Sequence, residues 1–355
     1  MKAIILAGGK GTRLKPMTHT IAKQLLPIAN KPILFYVLDQ IVESGIDDIG
    51  IIISPETGDE IKRTVGEGLN WHAHITYILQ PEPAGLAHAV MVARPFLQND
   101  PFLMFLGDNL IQDGVKKFVH EFESRSPDAL VLLKEVENPR LFGVAECDSR
   151  GRIVKLDEKP AEPKSNLALV GAYLFKPEIH RAIEQIKPSQ RGELEITDAI
   201  QELLHMGYNV ESRILSGWWL DTGKKDDMLE ANRIILDDLL QRNVKINVNN
   251  GSRIEGRVEV GEGTIIDNST VRGPASIAEN CKIVNSFIGP YTSIAAGTLI
   301  ENSSIHHSII LGKCHIDNTE HLADSIIGRN TSVIHRKAVS RSIKLFVGDD
   351  AFVEL

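Results

Sequence analysis

Cysteine is scarce, three in 355 residues. Cys147, Cys281 and Cys314 lie far apart and show no metal-ligand spacing, which excludes a disulfide framework and fits a reducing compartment, the cytoplasm. No apolar run approaches the roughly 18 residues needed to span a bilayer. The short apolar run after Met1-Lys2 is smaller than the core of a secretory signal. Positive charge is in deficit, with 39 Lys and Arg against 47 Asp and Glu, a formal −8, and no basic stripe offsets it. That argues against a nucleic-acid partner. Also missing are a Gly-x-Ser-x-Gly nucleophile elbow and a His-Glu-x-x-His zinc helix. His306, His307, His315 and His321 fall in one region, where outward solvated side chains are the plainer reading than metal ligands.

What is present starts at the first strand. Ala3-Ile4-Ile5-Leu6-Ala7 is an apolar, β-branched run that stops at Gly8-Gly9-Lys10-Gly11-Thr12-Arg13. A strand followed by a flexible, basic, hydroxyl-bearing loop is how a nucleotide-binding α/β domain begins. Glycines let backbone N–H groups close on phosphate oxygens without a Cβ in the way. The dinucleotide fingerprint fails, because Leu14 stands where its third small residue belongs. The ATP-binding P-loop fails too, for want of a closing Gly-Lys-Ser/Thr. By itself such a loop is also compatible with an ordinary tight turn.

Up to about residue 240, apolar runs alternate with helical patterns. Strands are expected at 2–7, 49–53, 75–79, 102–106 and 130–135, with helices around 32–44, 58–66, 85–94 and 115–123. The alternation predicts a mostly parallel sheet covered on both faces, with ligands at the carboxyl ends of its strands. Shorter strands at 143–147, 152–157, 168–175 and 209–215 suggest a mixed extension over the site, and a helix is expected from 223 to 242. After about 245 aliphatic residues recur every five or six positions, from Val260 and Ile266 to Val333 and Val339. A longer beat of 17 passes through Val271, Ile288, Ile305, Leu322 and Val339. That spacing predicts a parallel β-helix with one aliphatic residue per face pointing inward, since a β-sandwich wants turn signals every 8–12 residues. Coils that bury their apolar row only against neighbours make this half an expected assembly unit, and the protein an expected homo-oligomer.

Several polar residues stand where chemistry could occur. Arg13 and Lys23 flank the glycine turn and could share one polyphosphate, Arg by bidentate contact and Lys as a point charge. Gln80 closes an apolar strand before Pro81-Glu82-Pro83-Ala84-Gly85. Its amide offers a donor and an acceptor, which a pyrimidine edge also presents, and Gly85 would let backbone approach a base. Asp108 follows the buried run Phe102–Leu106, and Asp221 lies in Trp219-Leu220-Asp221-Thr222-Gly223. Mg²⁺ is commonly held by one or two carboxylates plus substrate phosphates, a need this pair meets; helix capping is the alternative for Asp221. Glu158 and Lys159 close another strand, where Lys159 could reach a phosphate and Glu158 sugar hydroxyls.

Taken in order, Leu-Ala-Gly-Gly-x-Gly-Thr-Arg-Leu at 6–14, Lys-Gln-Leu-Leu-Pro at 23–27, Gly-Asp-Asn at 107–109, Glu-Lys-Pro at 158–160, Gly-Glu-Leu-Glu-Ile-Thr-Asp at 192–198 and Trp-Leu-Asp-Thr-Gly at 219–223 resemble the sugar-nucleotide pyrophosphorylases. Among them the glucose-1-phosphate thymidylyltransferases are the most similar. The resemblance implies a Rossmann-like, mixed-sheet nucleotidyltransferase domain over 1–242, followed over 243–355 by a left-handed parallel β-helix like that of the long-form members. It implies transfer of a thymidylyl group from dTTP to glucose 1-phosphate with Mg²⁺ as cofactor. Arg13 and Lys23 would then serve the departing phosphates, Lys159 the sugar phosphate, and Asp108 and Asp221 the metal. Leu6, Ala7, Gly8, Gly9, Gly11, Thr12, Gln24, Gln80 and Gly85 would bind the nucleotide, and Asn109, Gly143, Glu158, Val170 and Trp219 the sugar. The chain departs from short members at Phe142, Ala84 and His88, where tyrosine, aspartate and glutamine are usual. Three other readings stay open: uridylyl transfer with the same machinery, acyl transfer on the β-helix with His306, His307 or His335 as base, and a catalytically silent sugar-nucleotide sensor.

Overall fold

The computed structural model describes residues 1–149, 151–245 and 251–335. The chain divides into two compact units, Met1–Ile235 and Leu236 onward. Among the described residues no helix is long and apolar enough to cross a membrane.

The first unit runs β1 (Lys2–Leu6), a small hairpin of β2 (Pro27–Ile28) and β3 (Lys31–Pro32), α1 (Ile33–Glu43), β4 (Asp48–Ile53), α2 (Gly58–Val65), β5 (His74–Leu79), α3 (Leu86–Val92), α4 (Arg94–Leu97), β6 (Phe102–Leu106), β7 (Asn109–Ile111), α5 (Lys116–Arg125) and β8 (Ala129–Glu135). It continues through β9 (Gly143–Cys147), β10 (Ile153–Glu158), β11 (Leu167–Phe175), α6 (Ile179–Ile183), α7 (Ile196–His205), β12 (Val210–Ile214), β13 (Trp219–Asp221) and most of α8 (Lys225–Asp238), whose last residues fall past Ile235. β5, β4, β1 and β6 pair in parallel. β11 then runs antiparallel to β6 and carries β9 and β8 along its other edge. The expected parallel half and mixed extension are therefore both present. β1 shows why the sequence reads so clearly: Ala3, Ile4 and Ile5 are fully buried, as a central strand covered on both faces requires. In α1 the buried side chains are Ile33, Leu34, Val37, Leu38 and Ile41, one face at helical spacing.

Some elements differ from expectation. The helix expected over 85–94 ends at Val92, and a separate short α4 follows with a proline in its first turn. The helix expected to reach 242 stops at Asp238. The hairpin β2–β3, the short ribbon of β7 with β13, and α6 were not foreseen. Each is too short to leave a periodic signal.

The second unit consists of three parallel sheets visited in rotation. One strand set includes Val258–Val260, Ala275–Ile277 and Thr292–Ile294, a second Thr270–Arg272 and Phe287–Ile288, a third Ile265–Asp267 and Lys282–Val284. The beat of 17 is the register itself: Val271 pairs Ile288, Ile288 pairs Ile305, and Ile305 bridges Leu322. It shortens by one where Ile300 pairs Ile316. Val260, Ile277, Ile283, Ile288, Ile294 and Ile300 are 0% exposed, so the inward row closes a dry core. Val339 lies outside the described residues.

Candidate functional site

The glycine turn begins where the Ala7 amide makes its last sheet bond, to Ile52 O at 2.9 Å. Gly11 has φ +61°, and a Cβ there would sit 2.8 Å from Thr18 Cγ2 and 3.0 Å from Lys23 Cβ. Thr18 also donates to Gly11 O at 2.8 Å. Gly11 is thus demanded by the fold. Gly8 and Gly9 differ, because the nearest atoms to a Cβ at either stand at 3.5 Å (Gln80 Oε1) and 3.6 Å (Gln24 Nε2). Among the described residues none of the backbone amides from Gly8 to Thr12 donates to a protein acceptor. Such a run of free donors suits an anion. Gln24, 2% exposed, lies against the same turn with its Oε1 buried and unpartnered.

The two acids are brought together by the β7–β13 ribbon, in which Asp221 pairs with Asn109. Thr222 fastens the ribbon from its amide (3.2 Å) and its hydroxyl (2.9 Å), both to Asp108 O. Lys23, 7% exposed, forms an ion pair with Asp108 Oδ2. Asn109 Nδ2 donates to Asp108 Oδ1 at 2.9 Å, and Trp219 Nε1 donates to Asn109 Oδ1 at 2.6 Å. Burial pushes the Asp108 carboxyl up, but the charge and hydrogen bond of Lys23, joined by Asn109, outweigh it and hold the group low. Asp221 goes the other way: burial, then the nearby Asp108 charge, push it up to about 6 against the pull of Lys23. Arg13 reaches the same place, since a Cβ on Gly223 would lie 3.4 Å from Arg13 Nη2 and 3.5 Å from Asp221 Oδ1.

A second cluster surrounds Glu158. Its Oε1 lies 3.3 Å from both Lys159 Nζ and Arg191 Nη1, and its Oε2 accepts from Thr197 Oγ1 at 3.2 Å. A Cβ on Gly143 would strike Thr197 Cγ2 at 2.6 Å and Glu158 Oε2 at 3.1 Å. Both clusters open into one cavity of about 930 Å³, lined by Arg13, Asp108, Glu158, Lys159, Arg191 and Asp221 among others.

One assignment requires correction. Val170 is fully buried, and the cavity is met instead by Leu169, Gly171 and Tyr173. Asn109 and Trp219 both border the cavity, with the Trp219 indole N–H given to Asn109 and one Asn109 N–H given to Asp108. At Gly85, φ +106°, a Cβ would fall 2.3 Å from Leu194 O, so the fold itself requires glycine there. Sequence reasoning missed Arg191, Thr197, Arg140, Lys224 and Asp227, all on the cavity wall. Thr197 lies inside the polar Gly192–Asp198 stretch and Arg191 directly before it, whereas Arg140, Lys224 and Asp227 had no signal.

Asp108 and Asp221 offer hard oxygen donors side by side, and burial, then the Asp108 charge, keeps the Asp221 carboxyl raised. That suits Mg²⁺, which takes one or two carboxylates and leaves its other positions to phosphate and water. No group of three His, Cys, Asp or Glu able to hold a metal occurs among the described residues, the β-helix histidines included. His307 is paired with Asp324, and His315 lies 3.4 Å from Glu301.

Comparison with known proteins gives the same picture. Residues 2–238 match the model of a family described as nucleotidyl transferase. Glucose-1-phosphate thymidylyltransferase of Streptomyces griseus is 46% identical over 355 residues, covering 100% of this chain and 99% of that protein. The enzyme of the same name from Streptomyces antibioticus is 47% identical over 356 residues, covering 100% of this chain and 99% of its own. A crystal structure from Bacillus anthracis, described as a candidate glucose-1-phosphate thymidylyltransferase in complex with sucrose, superimposes with a TM-score of 0.63 at 36% identity. It covers 70% of this chain and 97% of that one.

Proposed function

The chain belongs to the nucleotidyl transferase family, and from that membership we propose that it transfers a thymidylyl group from dTTP to glucose 1-phosphate, releasing pyrophosphate. The observation that carries this is the meeting of Arg13, Lys23, Asp108 and Asp221 beside a turn of unpaired amides, with the Lys159–Glu158 cluster in the same cavity. The nucleophile is the phosphate of the sugar. Its second pKa is about 6, so its oxygen is already ionised at neutral pH and needs no general base. The work left to the protein is to bring two anions together and to meet charge on the phosphates as it shifts.

The free amides of Gly8 to Thr12 and the Arg13 guanidinium take the triphosphate, and Lys23 assists while holding Asp108 in its ionised form. Lys159 takes the sugar phosphate. Glu158, fixed by Thr197 and Arg191, accepts from sugar hydroxyls, and Gly143 keeps that corner open. Asp108 and Asp221 would hold Mg²⁺, which when bound neutralises charge between the two phosphates. Asn109 and Trp219 serve by holding Asp108 in place.

The test is a matrix of dTTP, UTP, dCTP and ATP against glucose 1-phosphate and N-acetylglucosamine 1-phosphate, scored by pyrophosphate release with Mg²⁺. The pair dTTP and glucose 1-phosphate is expected to give the largest kcat/KM. Silence across the matrix, or a larger kcat/KM with UTP, contradicts the proposal.

A further inference from the structure

Gln80 ends β5 at the mouth of the glycine turn and is 9% exposed. Its Nε2 stands 3.3 Å from Gly85 O and 3.1 Å from His88 Nδ1. A carbonyl can only accept, so the contact with Gly85 assigns the amide nitrogen to that side. The nitrogen has a second hydrogen, and His88 Nδ1 is the atom in line to receive it. That requires Nδ1 to carry its lone pair, hence an imidazole protonated on Nε2. Both donors of the Gln80 amide are then spent inside the protein. Its Oε1 lies on the opposite side, 3.5 Å from where a Gly8 Cβ would stand, and no hydrogen bond to it is found among the described residues. The donor-and-acceptor pair expected from the sequence is therefore reduced to an acceptor.

We propose that His88 is a positioning residue for base selection: it locks the Gln80 amide so that Oε1 alone faces the nucleotide. A lone acceptor matches the N3–H of a thymine or uracil ring and meets the N3 lone pair of cytosine with repulsion. The inference rests on the proposed nucleotide site and deepens it, because it gives the chemical basis on which one class of pyrimidine is refused. His88 lies in the first turn of α3 (Leu86–Val92), so that helix sets the orientation of the reader. Imidazole with Nδ1 free presents only an acceptor.

The experiment compares the full-length protein with His88→Ala and His88→Asn, whose Oδ1 occupies about the place of Nδ1 and can accept in its stead. Steady-state pyrophosphate release is measured with dTTP and dCTP at saturating glucose 1-phosphate. His88→Ala is expected to lower the dTTP-to-dCTP ratio of kcat/KM about tenfold, mainly through KM for dTTP, as loss of one oriented hydrogen bond implies. His88→Asn is expected to keep the ratio within about threefold of wild type, a smaller loss than removal of the bond. In parallel, long-range ¹⁵N spectra of the free protein at pH 8, with His88 assigned by its absence in His88→Asn, should show an unprotonated Nδ1. A ratio unchanged in His88→Ala, an Asn variant no better than Ala, or a protonated Nδ1 overturns the inference. A wild-type chain that releases no pyrophosphate from dTTP refutes the thymidylyl reading instead, and the imidazole spectrum still decides whether His88 holds Gln80 as described.

Discussion

Asp221 stands in register opposite Asn109, the residue next to Asp108, so one backbone ladder sets the two acids side by side. Asp108 sits in the short turn before β7, and Thr222 fixes that turn through its two bonds to Asp108 O. The cost of that arrangement is visible in their ionisation: Lys23 stabilises Asp108 as an anion, and Asp221 absorbs the remaining repulsion with a carboxyl pushed up to about 6 by burial and by Asp108.

Asp221→Asn should therefore stabilise the metal-free protein at pH 8. The folded carboxyl keeps its proton up to about 6, whereas in the unfolded chain it loses it near 4. Above about 6 the folded state carries an ion it disfavours, and the substitution removes that penalty, on the order of 1–3 kcal/mol. Below pH 4, where both states hold the proton, the advantage should vanish. Thermal melts at pH 8 and pH 4 in chelator measure this, and an Asn variant less stable at both pH values contradicts it. Added Mg²⁺ should raise the melting temperature of wild type at pH 8 far more than that of the variant.

Lys23→Met should destabilise by about 3 kcal/mol at pH 7.5, because it strands Asp108 in a largely buried place. The depressed carboxyl of Asp108 contributes stability above its unfolded pKa and loses it as pH falls. The penalty of the substitution should therefore shrink towards pH 4, and a second change, Asp108→Asn, should recover part of it at neutral pH. Urea denaturation of the single and double variants gives the comparison.

Gly143→Ala acts on one substrate. The added methyl meets Thr197 Cγ2 at 2.6 Å and Glu158 Oε2 at 3.1 Å, so Thr197 must move, and with it the hydrogen bond that fixes Glu158. KM for glucose 1-phosphate is expected to rise about tenfold or more, the scale of a lost hydrogen bond to a charged group, with KM for dTTP nearly unchanged. Equal effects on both substrates would show that Glu158 does not serve the sugar side alone.

In the β-helix, Ile265 and Ile266 are chain neighbours with opposite fates, 57% and 5% exposed. Ile266→Ala should cost about 2–4 kcal/mol as a core truncation. Ile265→Ala should fall within about 0.5 kcal/mol of wild type. Equal losses in chemical denaturation would mean that the inward row is misplaced.

Much of this was legible because strong local signals coincide with the global fold. The β1 run, its glycine turn and the Asp108 strand end each announce themselves, and hexapeptide spacing specifies coil register directly. The β7–β13 ribbon was not legible: three-residue strands about 110 positions apart carry no period, yet they fix the relation of the acids. At Gly85 the sequence shows a glycine without showing that Leu194 backbone is the neighbour that excludes a Cβ. Val170 was misplaced because a continuous apolar strand does not say which of its residues meets the cavity. Gln80 was read as offering both ends of its amide, and the placement of Gly85 O and His88 beside its Nε2 leaves no trace in the sequence.

The claim on which the rest depends is that two distant acids and a basic glycine turn serve one transfer between two phosphates. Its most direct test is pyrophosphate release from dTTP and glucose 1-phosphate by the double variant Asp108→Asn, Asp221→Asn at millimolar Mg²⁺, with folding checked by its melting curve. A folded variant slower by about a thousandfold or more is the predicted result, the scale reached when a principal electrostatic stabiliser is removed. A folded variant that turns over near the wild-type rate contradicts it.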